Sequence, residues 1–527
     1  MRAAATVCAA LLLVQVQLTA QSSKPVPAPD HQAAKEAVLS RDDVLLRVMR
    51  DELDRSRTLT LANLDKPYYI EYVVDDLDSF SVSASLGGIL SQNRTRVRLP
   101  RVNVRVGGYD FDNTNYIFSD LYGGTRFDSE QLPLDNDYNV LRRHFWLASD
   151  REYKTAIDAI ARKRAALKNM SVNDALPDFW KAEPVRKILD PRIDPVNEQL
   201  WTSRVRDLSK IFGQYPEVLF SAVGFNASRS THYFLNSEGT IIRHPDAIYH
   251  VQFRAKGQAS DGMSLRDGTV LQALDLNNLP GEADLKKAAA EVAANIRALS
   301  NAPVGEMYSG PVLFEGEAAS QLFAELLGSN LSLPRRPVSE PGRTLPFSGS
   351  ELEGRIGAQI LPDFLTVVDD PLQTSWNGTP LFGHYMVDDE GVIPKPLTLI
   401  DKGKLTDFLR TRQPVKNFEA SNGRARMPGP FGARTAAISN LFIEASTSVP
   451  FEELKQQLIK ICQERGKPYG LVVRKMDYPS SADRGEIRRI AALAARSGGS
   501  RRPVSIPLLV YRLYPDGREE LVRGLQF

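Results

Sequence analysis

Histidine and cysteine, two of the side chains that bind zinc, are few in this chain of 527 residues, which has six histidines and two cysteines. A catalytic zinc site normally takes three ligands from His, Cys, Asp or Glu and leaves a fourth position for water. No two histidines form a close pair on one helix; the six are His31, His144, His232, His244, His250 and His384. The spacing of the histidines therefore does not predict a metal site.

Other chemistries lack their usual signatures. The chain has no Gly-x-Ser-x-Gly elbow, no Gly-x-x-x-x-Gly-Lys-Ser/Thr loop and no Gly-x-Gly-x-x-Gly turn. Beyond the first 20 residues the only cysteine is Cys462, which lies in an amphipathic pattern with Leu454, Leu458 and Ile461 on its face. This pattern favours a buried, inert thiol over a reactive one.

Two groups of carboxylates remain as candidates. Glu325 lies in a helix predicted from Glu317 to Leu327, beside an apolar stripe. The run Asp388-Asp389-Glu390-Gly391 could bind a cation, but calcium loops are longer and alternate their oxygen ligands. A turn that ends in glycine explains this run better.

Four phrases follow one another between residues 310 and 445. They are GPVLFEGEAASQLFAELLG, SELEGRIGAQILPDFLTVVDD, VDDEGVIPKPLTLIDKGKLTDFL and SNGRARMPGP. Each phrase is mostly turn chemistry, but their order is specific. In this order they resemble the peptidase half of the TldD/PmbA family, and FLNSEGTIIR extends a weaker similarity upstream.

The resemblance implies a metal-binding helix that has lost its ligands. Zinc-dependent TldD-like members carry His-Glu-x-x-x-His at this helix, and the matching positions here are Ala324, Glu325 and Ser329. Ala324 has no donor atom, and Ser329 offers only a neutral hydroxyl. The family's remaining ligand is a cysteine near the C-terminus, where this chain has none. The chain thus resembles a PmbA-like member, and we expect neither bound zinc nor another cofactor.

The roles of the surviving polar residues stay open at this stage. By resemblance Glu325 is the catalytic candidate, as general base on metal-bound water; without the metal it is a solvated or hydrogen-bonded carboxylate. His384, Asp388, Asp389 and Arg355 are possible neighbours of the site. For His384 the simpler interpretation is a hydrogen-bonded or exposed imidazole.

Three functions compete. The leading hypothesis is a catalytically degenerate metallopeptidase homologue that binds peptide, or that partners an active TldD-like paralogue or a second copy in proteolytic processing. The second is an active metallopeptidase whose metal site is rebuilt from Glu325, His384 and Asp388 or Asp389. The third is a freestanding binding protein of the bacterial envelope.

Composition and termini limit the setting. Residues 1–20 read as a signal peptide and 21–40 as a flexible leader, so export to the periplasm or beyond is expected. With 66 basic and 64 acidic residues the chain gives no support to nucleic-acid binding. No later apolar run is long enough to span a membrane.

The patterning predicts an α+β fold with two domains of mainly antiparallel sheet and helices. The expected units are an N-terminal and middle region, 41–302, and a metallopeptidase-like C-terminal domain, 303–527. Helices are expected over Arg41–Leu59, Asp150–Lys168 with Ser149 as N-cap, Trp201–Phe212, Ala283–Leu299, Glu317–Leu327 and Phe451–Arg465. Separate strands are expected between Lys66 and Phe111, with turns at Gly87-Gly88 and Gly107-Gly108.

Overall fold

The computed structural model describes residues 43–117, 131–168, 176–192, 194–339, 347, 349–427, 434–477 and 504–526. The signal peptide and leader predicted for 1–40 lie outside these ranges. The helices in the described ranges are α1 (Val44–Ser56), α2 (Tyr138–Leu167), α3 (Glu198–Lys210), α4 (Glu282–Asn301), α5 (Gly316–Leu327) and α6 (Phe451–Glu464). None of them is both long and apolar enough to cross a bilayer.

One large sheet organises the N-terminal part. Its strands are β1 (Pro67–Ser85), β2 (Gly88–Val106), β4 (Arg186–Ile188), β5 (Phe220–Asn236), β6 (Ile241–Gln258) and β7 (Ser264–Ala273). They run in the order β2-β1-β5-β6-β4, and β7 also pairs with β6. All neighbours are antiparallel except β4 and β6.

The strands expected between Lys66 and Phe111 are in fact two continuous strands of 19 residues each. A single tight turn joins them at Leu86 and Gly87, both of which have positive φ. Side chains of β1 alternate between buried and half-buried from Phe80 to Ala84, whereas Tyr69–Val74 are buried on both faces of the sheet. Some of the breaks expected between separate strands therefore lie inside these two longer strands.

Four helices cover one face of this sheet. Helices α1 and α2 pack against Ile70, Tyr72 and Val74 of β1. Helix α3 packs further along β1, in the core that contains Phe80 and Val82, and helix α4 packs against β6 and β7 in the same core. The opposite face meets the C-terminal part, where Val387 packs against Val73, Phe234 and Ile242.

The C-terminal part holds two four-stranded sheets. The first, in the order β14-β13-β10-β17, comprises β10 (Leu365–Asp369), β13 (Leu397–Asp401), β14 (Lys404–Leu405) and β17 (Leu441–Ala445). The second, in the order β20-β19-β18-β8, comprises β8 (Val312–Phe314), β18 (Gly470–Met476), β19 (Pro507–Leu513) and β20 (Glu519–Val522). The short pairs are β3 (Tyr116–Ile117) with β9 (Val338–Ser339), β11 (Ser375–Trp376) with β12 (Thr379–Pro380), and β15 (Ala425–Arg426) with β16 (Thr435–Ala436).

The α+β class predicted from the sequence is confirmed, and one helix boundary was wrong. Helix α2 begins at Tyr138, with Asp137 as its N-cap, and not at Asp150. Ser149 lies inside the helix, where its hydroxyl donates to the carbonyl of Phe145 at 2.7 Å. The division at residue 303 follows the end of α4 at Asn301 and stays a prediction.

Candidate functional site

Helix α5 is wedged between the two C-terminal sheets. Ala318 and Leu322 join the core around β18, whereas Phe323 and Leu327 join the core around β10 and β13. Two apolar contacts on different sides hold the helix in place without a side-chain N-cap. The arrangement fixes where Glu325 can point.

Both carboxylate oxygens of Glu325 accept hydrogen bonds. The backbone N–H and the hydroxyl of Ser505 donate to it, each at 2.6 Å, and the amide of Gln321 donates at 2.8 Å. Gln321 also donates to the carbonyl of Asp477 at the end of β18. Glu325 therefore ties α5 to the chain on either side of residues 478–503.

The side chains at the positions where the resemblance implies zinc ligands do not fit zinc. Ala324 presents a methyl group to solvent, and Ser329 is an exposed residue in the turn after α5. No three His, Cys, Asp or Glu side chains within the described ranges form a group that could hold a metal ion. Because zinc needs such donors, no metal-dependent step is assigned to this helix.

The expected neighbours of the site have other contacts. A ring nitrogen of His384 lies 2.9 Å from the carbonyl oxygen of Pro371. Arg355 is exposed on the surface. Neither shares a described hydrogen bond with Glu325, and their roles stay predictions.

The acidic run forms the expected turn, and the turn is buried. The N–H of Gly391 donates to the carbonyl of Asp388 at 3.1 Å, and Gly391 has a φ of 82°. One carboxylate oxygen of Asp388 accepts the N–H groups of Glu390 and Val392, and the other accepts the N–H of Ala425. Asp388 thus serves as an internal connector of the backbone.

Three of the four resemblance phrases meet at this turn. Arg424 is fully buried and pairs with the equally buried Asp369. Arg424 also donates to the carbonyl oxygen of Lys395 at 2.6 Å. We call Asp369, Asp388, Arg424 and Ala425 the buried polar nucleus. On the adjoining surface Asp389 accepts hydrogen bonds from Arg426 at 2.9 Å and from the N–H of Met427 at 2.7 Å.

Burial changes the acidity of this region. It raises the pKa of Asp388 to about 7, with the charge of Glu390 as the second cause. Burial also raises the pKa of Glu390, against the opposing effect of Arg434. Burial raises the pKa of Asp369 despite its partner Arg424. Asp388 therefore exchanges a proton near neutrality.

Sequence patterns did not predict the charged pairs that join the N-terminal part to the C-terminal part. Arg412, which is fully buried, donates to Glu238 at 2.6 Å, and Arg434 donates to Glu71 at 2.9 Å. The guanidinium of Arg412 also lies 4.0 Å from the ring centroid of Phe179. These partners are 174 and 363 residues apart, so local spacing carries no signal for them.

A histidine pair was also missed. His232 and His244 are cross-strand neighbours in the β5–β6 hairpin, with ring centroids 5.0 Å apart. His232 bonds Asp75 at 2.7 Å, and burial followed by the charge of His232 lowers the pKa of His244 to about 4. The sequence could have indicated this pair, because His232 and His244 lie at equal distances on either side of the turn within FLNSEGTIIR.

Comparison with known proteins gives a family match in the C-terminal half. Residues 307–496 match the PmbA/TldA metallopeptidase C-terminal domain. A metalloprotease of Archaeoglobus fulgidus is 29% identical over 106 residues, which are 20% of this chain and 23% of that protein. A metalloprotease of Methanothermobacter thermautotrophicus is 26% identical over 206 residues, or 37% of this chain and 40% of that protein. The aligned segment thus spans less than half the length of either curated relative.

The fold likeness reaches further than the sequence match. A Thermotoga maritima protein described as a modulator of a DNA gyrase superposes with a TM-score of 0.53 at 12% identity, over 86% of each chain. At that identity the likeness concerns the fold alone. The sequence match therefore places a PmbA/TldA metallopeptidase C-terminal domain at residues 307–496, and the fold likeness extends over most of the chain.

Proposed function

We propose that this chain uses the PmbA/TldD scaffold without metal-dependent peptide hydrolysis, and that it binds peptide or pairs with an active paralogue in proteolytic processing. The observation that carries the proposal is the state of Glu325. Its two oxygens accept bonds from Ser505 and Gln321, while Ala324 and Ser329 stand where the family has ligands. A carboxylate engaged in this way serves the fold.

A rebuilt metal site finds less support. The oxygens of Asp388 and Asp389 are taken by backbone N–H groups and by Arg426. His384 contacts Pro371. The side chains of Asp388, Asp389 and His384 thus bond different partners in the C-terminal part. The alternative therefore requires several buried contacts to break at once.

The setting proposed for the chain is outside the cytoplasm, after removal of residues 1–20. Sequencing the N-terminus of protein recovered from the periplasm or medium tests this directly. A mature chain that begins at Gln21 supports export. An intact Met1 in the cytoplasmic fraction contradicts it.

Hydrolysis is tested with an unfolded protein substrate in the presence of zinc. We expect the wild-type chain and Glu325→Gln to give the same background rate. Hydrolysis by the wild type that Glu325→Gln abolishes would favour the active-enzyme alternative. Because Glu325 also stabilises α5, the thermal unfolding of both proteins is measured alongside.

The partner role is tested by affinity purification from the native host. Recovery of a paralogue with an intact His-Glu-x-x-x-His helix supports a paired complex. Recovery of the chain as a homodimer or alone favours self-association or a freestanding binding role.

A further inference from the structure

The large sheet has an open edge at β2. Near its middle this strand is covered, because the N–H of Leu132 donates to the carbonyl of Arg98 at 3.0 Å. Toward the hairpin turn the residues from Leu90 to Arg96 are all exposed. Within the described ranges, no backbone bond reaches β2 over this stretch from any element other than β1.

The bond to Arg98 fixes which backbone groups face outward. In an antiparallel pair, the N–H and C=O of every second residue point away from the partner strand. Arg96, Arg94 and Gln92 therefore present their amides and carbonyls on the same open side as Arg98. The regular register ends just beyond, since Ser91 pairs with Ser83 and Ile89 pairs with Ala84. Among the residues that the structure describes, none bonds the six outward backbone groups of these three residues, which leaves them open to an added strand.

Charge separates the two strands of this hairpin. Strand β2 carries five arginines and no acidic residue, whereas β1 carries four acidic residues and no basic one. Arg94 bonds Asp78 and Glu198 but keeps 48% of its side chain exposed. Arg96 is 53% exposed and lies 3.8 Å from Asp76. The open side of β2 therefore carries two half-exposed arginines, each of which also lies beside a carboxylate of β1.

A second copy of the chain fits this edge poorly. Antiparallel pairing of two β2 strands would set Arg94 and Arg96 of one copy against the same residues of the other. Like charges across a strand pair are destabilising. Exposed charges on an edge commonly prevent self-association in this way.

We propose that the β2 edge from Gln92 to Arg96 binds an acidic, extended segment of a peptide or protein as an added strand. The inference rests on the proposed peptide-binding function and names the chemistry of the peptide. Backbone bonds to Gln92, Arg94 and Arg96 supply affinity, and the two arginines select acidic side chains. The carboxylates of Asp78 and Asp76 in β1 already contact Arg94 and Arg96, so an added acidic segment would share these arginines with β1.

Peptide binding tests the proposal with the mature chain and a labelled synthetic peptide of alternating Glu and Val. Fluorescence anisotropy should detect binding of this peptide and much weaker binding of a Lys/Val counterpart. Methylating the backbone nitrogens that face the protein should weaken binding about tenfold, because the donors are removed. Equal binding of the three peptides, or binding of none, overturns the proposal.

Two variants place the site. Gln92→Pro removes an outward N–H and leaves the ladder to β1 intact, since proline is tolerated where the N–H faces solvent. Arg96→Glu reverses an exposed charge, and Lys287→Glu on the exposed face of α4 is its matched control. We expect Gln92→Pro and Arg96→Glu to lose acidic-peptide binding with unchanged thermal unfolding, and Lys287→Glu to retain it.

Sedimentation separates the remaining outcomes. A dimer of the chain that Gln92→Pro dissociates would show that a second copy occupies the edge and would overturn the proposal. The binding assay contains no hydrolysis step. Zinc-dependent hydrolysis would therefore contradict the proposed function without altering the expected anisotropy result.

Discussion

Helix α5 and the buried polar nucleus both carry carboxylates that the sequence marked as candidates, yet their surroundings differ. Glu325 is half-buried and is held by neutral donors from Ser505 and Gln321. Asp369 is fully buried against Arg424, and Asp388 is buried against three backbone N–H groups.

The difference shows how a family resemblance divides into structural and chemical parts. The phrases that identify the family supply the nucleus, whose polar groups satisfy one another inside the protein. By the resemblance, the metal chemistry of the family depends on the residues that match Ala324, Glu325 and Ser329. No hydrogen bond described for the nucleus involves these residues, so we expect changes at these positions to leave the nucleus intact.

Breaking the ion pair of the nucleus should have the largest effect. Arg424→Ala leaves Asp369 buried without its partner, and such a loss costs about 3–5 kcal/mol. Urea unfolding of the purified variant measures this cost. Arg355→Ala, which changes an exposed arginine nearby, should stay within about 0.5 kcal/mol of wild type. Equal stability of the two variants would mean that the nucleus is not structural.

A second prediction concerns pH. Burial raises the pKa of Asp388 from 3.8 to about 7, so the folded state holds a proton that the unfolded state releases. The proton on Asp388 makes its full contribution to the unfolding free energy below pH 4. This contribution declines as pH rises and is lost above pH 7. The decline should reach at most about 1.4 kcal/mol per pH unit.

The variant Asp388→Asn cannot release a proton and should flatten this dependence between pH 4 and 7. Both oxygens of Asp388 accept N–H groups, and the amide nitrogen of asparagine cannot accept one, so the stability of the variant should also fall at low pH. The diagnostic is the slope of the unfolding free energy against pH. An unchanged slope would assign the pH dependence to other groups.

The smallest effect is expected at α5. Removing the Ser505 hydroxyl or the charge of Glu325 should each cost about 0.5–1.5 kcal/mol. In a double-mutant cycle of Ser505→Ala and Glu325→Gln, the unfolding free energies lost by the two single variants should sum to more than the loss in the double variant. Strict additivity would show that Glu325 and Ser505 do not interact in solution.

Sequence patterns predicted the local elements better than the contacts. Helix α6 is where its amphipathic period placed it, and Cys462 is buried on its inner face as expected. The start of α2 was missed because Ser149, a good N-cap residue, satisfies its hydroxyl within a helix. The apolar period alone could not tell a cap from an interior position.

The partners of the candidate site could not be predicted. Glu325 meets Ser505 across 180 residues, and Arg424 meets Asp369 across 55. Such pairs depend on the packing of whole sheets, which no local period encodes. The pairing of His232 with His244 is the exception, because a hairpin register follows from its turn.

Zinc content tests the central claim most directly. The purified mature chain is incubated with zinc, separated from free metal by gel filtration and analysed by elemental analysis, beside Glu325→Gln. We predict no stoichiometric zinc in either protein, because Ala324 and Ser329 supply no ligand and Glu325 is held by Ser505. One zinc ion per wild-type chain, lost in Glu325→Gln, would contradict the account.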